Sequence, residues 1–491
     1  MVESLQKKAI TGLAWSTLER LCQQLLQFAL AVLLARLLEP SEFGLIALVG
    51  FFIAVSQSFI DSGFGSALVQ KQNVTRLDEC SVFFFNIAMG CFATALLFTV
   101  APLIATFYSQ PSLKPVIRSL SFLLLINSFG VIQHRILVKQ MNFKTLFSVN
   151  AISFPIAGSL GVSLAYFGFG IWSLVAQQLC YSSLHAILLW CFVGWRPSWM
   201  FSFQSLKSLF SFGSKMLATG MLETTFQNMY ELVIGKAYTP DLLGFYSRAR
   251  VTQQLLASNL YFSIGRVTFP VFSSIQNDLV QLRSGVRRGL CYLGMINFPL
   301  MVGLAVVAEP LVQVVYTSKW LPSVPYLQLL CIVGLLHPLS AINSSVLSAL
   351  GRSDLILRLE LIKKGFAVLL LAGTWKFGIV PMIIGQVVVA IFGYFINCSY
   401  TSNMIGYSMK RQFWDLLPVL SLSLTMGAIV TAVGWYDYPN PHVQLLTQIV
   451  AGVLSFALLC RLSKMESYQS IEQLVLTKLG GFRTAPTLKS Q

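Results

Sequence analysis

Apolar runs of membrane-spanning length recur along the whole chain, separated by short polar or turn-forming breaks. Residues 43–54, 92–104, 171–193 and 379–395 are clear examples. A helix needs about 20 apolar residues to cross the hydrocarbon core. The runs lack the ten-residue alternation of an outer-membrane barrel, and a chain in lipid must satisfy its backbone hydrogen bonds internally. The pattern therefore predicts an all-α polytopic membrane protein.

Dividing the hydropathy profile at its breaks predicts about 14 transmembrane helices. The first hydrophobic stretch runs on to Leu38, which is too long for a signal peptide, so it is taken as the first span. The predicted spans are 12–38, 43–67, 80–106, 115–137, 145–167, 171–193, 207–235, 242–266, 288–316, 324–349, 355–376, 378–401, 413–436 and 442–462.

Composition supports this interpretation and charge adds an orientation. The 491 residues are 55% hydrophobic and 11% charged, whereas soluble domains carry about 25% charged residues. The net charge of +16 is spread singly or in pairs between apolar runs, which argues against a nucleic-acid partner. With the N-terminus in the cytoplasm, the inner loops and tail hold 22 Lys and Arg residues against 5 on the outer side. This asymmetry follows the positive-inside rule, and it places both termini in the cytoplasm.

An internal repeat predicts how the helices are grouped. Pro40 matches Pro240, Gly44 matches Gly244 and Gly65 matches Gly265, all at an offset of 200. An even number of spans separates the copies, so they are parallel repeats, as in transporters built from two like halves. The predicted domains are an N-lobe of six helices (1–200), a C-lobe of six helices (201–405), two added helices (406–465) and a cytoplasmic tail (466–491).

Motifs for enzymatic chemistry are missing from the sequence. It has no Walker lysine loop, HExxH or GxSxG, and its four histidines lie far apart along the chain. The nine cysteines form no CxxC pair and are interpreted as small buried residues. We therefore expect no enzyme, no cofactor and no metal site.

Ionisable residues inside predicted spans are the candidates for function, because an unpaired charge in the membrane costs several kcal/mol. Arginine suits phosphate through its bidentate fork, so a cationic cavity favours a lipid pyrophosphate. The predicted substrate-binding residues are Arg20, Lys215, Arg248 and Arg250. The predicted residues for ion coupling or charge pairing are Glu19, Asp61, Glu223 and Glu231. Two alternatives stay open: Arg248 could pair with Glu231 to dock two helices, and Lys215 could extend to the headgroups.

Several segments resemble the polysaccharide transporter family. They are 7–16 (KKAITGLAWS), 34–38 (LARLL), 40–45 (PSEFGL), 61–70 (DSGFGSALVQ), 246–249 (YSRA) and 269–273 (FPVFS). The resemblance covers nearly the whole chain and is closest to Wzx-type exporters of the colanic-acid kind. That family belongs to the superfamily of multidrug, oligosaccharidyl-lipid and polysaccharide flippases, which also contains the MATE transporters.

The resemblance implies a flippase in the bacterial inner membrane. It would move undecaprenyl-diphosphate-linked oligosaccharide repeat units from the cytoplasmic to the periplasmic leaflet by alternating access, for surface polysaccharide biosynthesis. Its implied partners are the lipid-linked oligosaccharide and membrane lipids. Coupling to protons or sodium, and association with a polysaccharide polymerase and export machinery, are further expectations.

Two other functions compete with this one. An ion-coupled drug or metabolite antiporter on the same fold would favour acidic cavity residues, and the intramembrane charges discriminate only mildly against it. A membrane polymerase or ligase would be expected to carry a large periplasmic loop, and the predicted connections are all short.

Overall fold

The computed structural model describes residues 2–61, 64–71 and 73–463. For some helical residues, including 2–14 and 258–267, only the backbone is described. The regular elements in this part of the chain are all helical. They are α1 (Val2–Leu37), α2 (Pro40–Asp61), α3 (Phe64–Gln70), α4 (Arg76–Phe107), α5 (Leu113–Ser128), α6 (Val131–Lys139), α7 (Phe143–Tyr166), α8 (Ile171–Phe192), α9 (Phe203–Ala237), α10 (Pro240–Ser274), α11 (Leu279–Val306), α12 (Ala308–Tyr316), a 3-10 helix (Ser318–Ser323), α13 (Val324–Ala349), α14 (Ser353–Thr374), α15 (Ile379–Ile405), α16 (Met409–Gly434) and α17 (Pro441–Leu462).

The predicted spans correspond to these helices in order, but two of the spans are divided within the described residues. Span 115–137 covers α5 and α6, and span 288–316 covers α11 and α12, whereas span 43–67 includes residues 62 and 63, which lie outside the described part. In span 288–316, Pro310 lies in the first turn of α12 and cannot donate the backbone hydrogen bond that would continue α11.

Side-chain caps define where many helices begin. Thr75 and Asp78 form a reciprocal capping box at the start of α4, where each side chain accepts a hydrogen bond from the other's backbone N–H. Within the described part of the chain, single side chains cap five more helices: Asn142, Ser202, Asp278, Ser408 and Asn440. These caps explain why helix starts follow the polar breaks of the sequence.

Nine of the described helices are long and apolar enough to cross a membrane, or ten if the pair α5 and α6, bent by 44°, forms one span. This makes the protein a multi-pass membrane protein, although the predicted count of 14 spans is not confirmed. The long helices outside this group are α1, α9, α10 and α14. All of the predicted site residues except Asp61 lie on three of these four helices.

The chain divides into two compact units, residues 1–247 and 248–491. In the first unit, α1 packs on α7, α4 on α5, α7 on α8, and α2 on α9. In the second, α11 packs on α13 and α16, and α13 on α15. The division falls inside α10, whereas the predicted lobe boundaries follow the sequence repeat and stay a prediction.

The cysteines only partly match their predicted role. Cys80, Cys331, Cys398 and Cys460 are buried, whereas Cys91 and Cys191 are exposed on helix surfaces.

Candidate functional site

The charged helix α9 carries a polar row along one side. Lys215, Thr219, Glu223 and Gln227 follow one another at intervals of four residues, which places them along one face, and all four are exposed. The amide of Gln227 donates a hydrogen bond to a carboxylate oxygen of Glu223 over 2.9 Å. Charged side chains are not expected to face hydrocarbon, because that costs several kcal/mol. We therefore expect the polar row of α9 to face water.

A second polar row lies on α1. Arg20, Gln24 and Gln27 are spaced by four and three residues, so they share one face, and Gln27 is exposed. Glu19 precedes Arg20 on the helix, and the positive charge of Arg20 acts on its carboxylate. The structure thus places two of the predicted site residues side by side on α1.

Glu19 is held by a short hydrogen-bonded chain in the first unit. The side-chain amide of Asn150, on α7, donates to Glu19 Oε1 over 2.9 Å. The hydroxyl of Tyr181, on α8, donates to Asn150 Oδ1 over 3.1 Å. These two hydrogen bonds therefore fix the orientation of the Asn150 amide, with its N–H directed at the Glu19 carboxylate. We call Glu19, Asn150 and Tyr181 the Glu19 triad.

Arg248 lies in the second unit in surroundings that favour packing. It is 7% exposed, and its guanidinium carbon lies 5.6 Å from the ring centroids of both Tyr316 and Trp320. The Tyr316 hydroxyl is in turn hydrogen-bonded to Thr252, at 2.9 Å. Cation–π contacts of this kind stabilise packed helices. A role in holding α10 against the 3-10 helix explains this burial better than direct contact with substrate.

The remaining predicted residues are placed as follows. Arg250 is half-buried, so it is more accessible than Arg248, and Glu231 is buried on α9. Asp61 ends α2, but its side chain lies outside the described residues.

Sequence reasoning missed a set of neutral and titratable residues in the first unit. A polar cavity beside the break between α5 and α6 is lined by Gln57, Asn127, His134, Arg135, Ser182 and His185, among others. Two histidines that lie 51 positions apart in the sequence thus face one cavity. Asn150 and Tyr181 were missed as well, because only Arg, Lys, Asp and Glu were taken as candidates. Amide side chains inside apolar runs were the available signal.

The sequence matches a known protein family over more than half of its length. The model of a family described as polysaccharide biosynthesis protein matches residues 33–325, more than half of the chain. The chain belongs to this family. The predicted resemblance to polysaccharide transporters is confirmed.

Curated relatives extend the similarity over most of the chain. The teichuronic acid biosynthesis protein TuaB of Bacillus subtilis is 27% identical over 93% of this chain and 96% of its own length. The lipopolysaccharide biosynthesis protein WzxC of Escherichia coli is 26% identical over 87% of this chain and 89% of its own length. The succinoglycan biosynthesis transport protein ExoT of Rhizobium meliloti is 28% identical over 69% of each chain.

Solved structures confirm the fold class. The lipid II flippase MurJ aligns with a TM-score of 0.75 at 14% identity, over 92% of this chain and 98% of MurJ. A multidrug resistance MATE family transporter of the MOP superfamily aligns with a TM-score of 0.60 at 16% identity, over 79% of this chain and 96% of its own length. At these identities the likeness shows the fold alone.

Proposed function

We propose that this protein is a flippase that moves undecaprenyl-diphosphate-linked oligosaccharides from the cytoplasmic to the periplasmic leaflet of a bacterial inner membrane. The observation that carries the proposal is the similarity, along most of the chain, to proteins named for the biosynthesis or transport of teichuronic acid, lipopolysaccharide and succinoglycan. The shared fold with a lipid II flippase is consistent with a lipid-linked cargo. The exported units would supply a polysaccharide polymerase and its export machinery.

The diphosphate of the cargo would cross the membrane along a water-accessible route lined by positive charge. Lys215 lies on the exposed polar row of α9, and Arg20 and Arg250 are half-buried on α1 and α10. Each is a long cationic side chain on a helix too polar to face lipid throughout. We assign phosphate binding to these three residues, and we assign Arg248 to packing because of its two aromatic neighbours.

Ion coupling is assigned to the Glu19 triad. A carboxylate inside a span is the group that a proton or a sodium ion can neutralise, and one such group can couple ion movement to a conformational change. Asn150 and Tyr181 hold this carboxylate in one orientation. Asn150 and Tyr181 are neutral partners, and Arg20 is the neighbouring charge. Protonation of Glu19 would therefore change its electrostatic interaction with Arg20.

The orientation follows from charge, with both termini in the cytoplasm as the 22-to-5 distribution indicates. Lys139, at the end of α6, donates hydrogen bonds to the carbonyls of Leu68 and Lys71, and Lys71 pairs with Asp78 at 2.7 Å. These contacts bring the two lysines together at the end of the first unit that we propose to be cytoplasmic.

The test is the accumulation of cargo in the native host. Deleting the gene should trap the lipid-linked oligosaccharide in the cytoplasmic leaflet, where an added periplasmic glycosidase or ligase cannot reach it. Expression of the wild-type chain should restore exposure. Arg20→Ala and Arg250→Ala should not restore it at wild-type abundance, whereas Lys207→Ala, an exposed lysine near the start of α9, should. Cargo that stays exposed in the deletion strain would contradict the proposed function.

The alternative function, a drug or metabolite antiporter, is supported only by the fold shared with the MATE transporter. That alignment covers 79% of this chain, whereas the alignment with the lipid II flippase covers 92%. The antiporter would be favoured if the deletion strain became sensitive to cationic drugs while its polysaccharide was unchanged.

A further inference from the structure

The polar cavity of the first unit has no part in the proposed path for phosphate or ions. Its volume is about 210 Å³, and four helices, α2, α5, α6 and α8, contribute to it. Its polar side chains are two amides, two imidazoles, one hydroxyl and one guanidinium: Gln57, Asn127, His134, His185, Ser182 and Arg135. A polar cavity inside a membrane protein is unfavourable unless water or a ligand forms hydrogen bonds with its polar groups.

The break between α5 and α6 forms part of the wall of this cavity. α5 ends at Ser128 and α6 begins at Val131 with a 44° bend. The backbone carbonyl of Phe129, inside the break, accepts a hydrogen bond from the Trp190 indole over 2.9 Å. Asn127 Nδ2 donates to Gln57 Oε1 over 3.1 Å and ties the break to α2. Broken helices of this kind line binding sites in transporters.

The chemistry of the lining selects a class of ligand. None of the described residues that line the cavity is a carboxylate, and Arg135 is positive, so a metal or organic cation would be repelled. A single guanidinium is a weak site for a diphosphate. Amides, imidazoles and a hydroxyl offer both donors and acceptors, which matches a group with many hydroxyls.

Size and depth narrow the ligand further. Pockets for drug-sized molecules enclose roughly 300–1,000 Å³, so this cavity is large enough for one sugar ring but not for an oligosaccharide. His185 lies seven residues before the end of α8, or about 10 Å at a rise of about 1.5 Å per residue. With the proposed orientation, this depth is in the cytoplasmic half, where the cargo starts.

We propose that this cavity binds one sugar ring of the transported oligosaccharide and so contributes to recognition of the glycan. This inference rests on the proposed function. In this proposal the polar cavity recognises the sugar, and the cations assigned above bind the diphosphate.

A filled cavity tests the assignment. Ser182 is 8% exposed and faces the cavity, whereas its neighbour Ser183 faces an apolar groove with Phe129, Ile187 and Trp190. Ser182→Phe should therefore block the cavity, and Ser183→Phe is the matched control. Gln57→Leu keeps the size of the side chain and removes its hydrogen bonds, so it serves as the second variant if Ser182→Phe fails to accumulate.

Each purified protein is reconstituted in liposomes with two substrates. One is the lipid-linked oligosaccharide that accumulates in the deletion host, and the other is the same lipid diphosphate trimmed of all its sugars. Ser182→Phe and Gln57→Leu should move the full oligosaccharide about tenfold more slowly, the loss expected for one or two hydrogen bonds. Their rates on the trimmed lipid, and both rates of Ser183→Phe, should match the wild type.

Wild-type rates on the full oligosaccharide in both cavity variants would overturn the sugar site, as would equal loss on the two substrates. If the wild-type protein moves neither lipid, the proposed function is wrong and the sugar site fails with it.

Discussion

Gly44 in α2 packs directly on the backbone of Pro240, the first residue of α10. A Cβ added at Gly44 would overlap the carbonyl oxygen of Pro240 and would lie 3.1 Å from the backbone nitrogen of Gly244. The relationship is reciprocal, because a Cβ at Gly244 would overlap the carbonyl oxygen of Pro40. The two copies of the sequence repeat therefore meet at equivalent atoms. A two-fold relation between the starts of α2 and α10 accounts for this symmetry.

Adding a methyl group to either glycine should weaken this contact. Gly44→Ala and Gly244→Ala each force two backbones apart, and overpacking of this kind costs about 1–3 kcal/mol. We expect a lower melting temperature in detergent for each variant, measured by tryptophan fluorescence. Gly50→Ala is the control on α2, since no atom lies within 4 Å of the added Cβ, and alanine favours a helix over glycine. Equal melting temperatures for Gly44→Ala and Gly50→Ala would show that the start of α10 yields without cost.

The sequence predicted the helical content and the order of spans because hydropathy acts locally, residue by residue. The offset of 200 identified Gly44 and Gly244 as equivalent positions, but it did not predict that their segments are in contact. The sequence could not predict the break between α5 and α6, because the cause is tertiary: Trp190 and Gln57 hold the broken ends from other helices.

The same limit applies to the site. Charge and depth identified Glu19, Arg20 and Lys215 as candidates, and the structure places all three on helices with polar rows. Charge could not distinguish Arg248 from Arg250. That distinction depends on Tyr316 and Trp320, which lie more than 60 positions away in the sequence.

Arg248 and Arg250 should fail in different ways when truncated. Arg248→Ala removes a buried cation from two rings, and we expect a loss of about 1–3 kcal/mol in stability from the lost packing and cation–π contacts. Arg250→Ala should accumulate and melt as the wild type does but lose export. Melting temperature and export are measured on the same preparations. If the effects were reversed, with Arg250→Ala unstable and Arg248→Ala stable but inactive, Arg248 would be the phosphate ligand.

Glu19→Gln should separate transport from its driving force. The glutamine side chain retains an oxygen that accepts from Asn150, so the fold is preserved, but the group no longer takes up a proton. In liposomes we expect exchange of lipid-linked oligosaccharide between leaflets to continue while its acceleration by a proton or sodium gradient disappears. Tyr181→Phe removes one neutral hydrogen bond and should reduce the acceleration only about five- to tenfold, in line with about 1 kcal/mol. A gradient response that survives Glu19→Gln unchanged would place the coupling elsewhere.

The polar row of α9 should be accessible to water in the membrane. Single cysteines at Lys215, Thr219, Glu223 and Gln227 should react with a charged maleimide in intact membranes faster than a cysteine at Phe210. Phe210 is the matched control, because it is apolar, 61% exposed and on the opposite side of the same helix. Wild-type protein gives the background of the nine native cysteines. Lipid-linked oligosaccharide should slow labelling at Lys215 if that residue binds the diphosphate. Labelling of all four row positions at the Phe210 rate would mean that lipid, rather than water, covers this face, and the cationic path would then have to exclude Lys215.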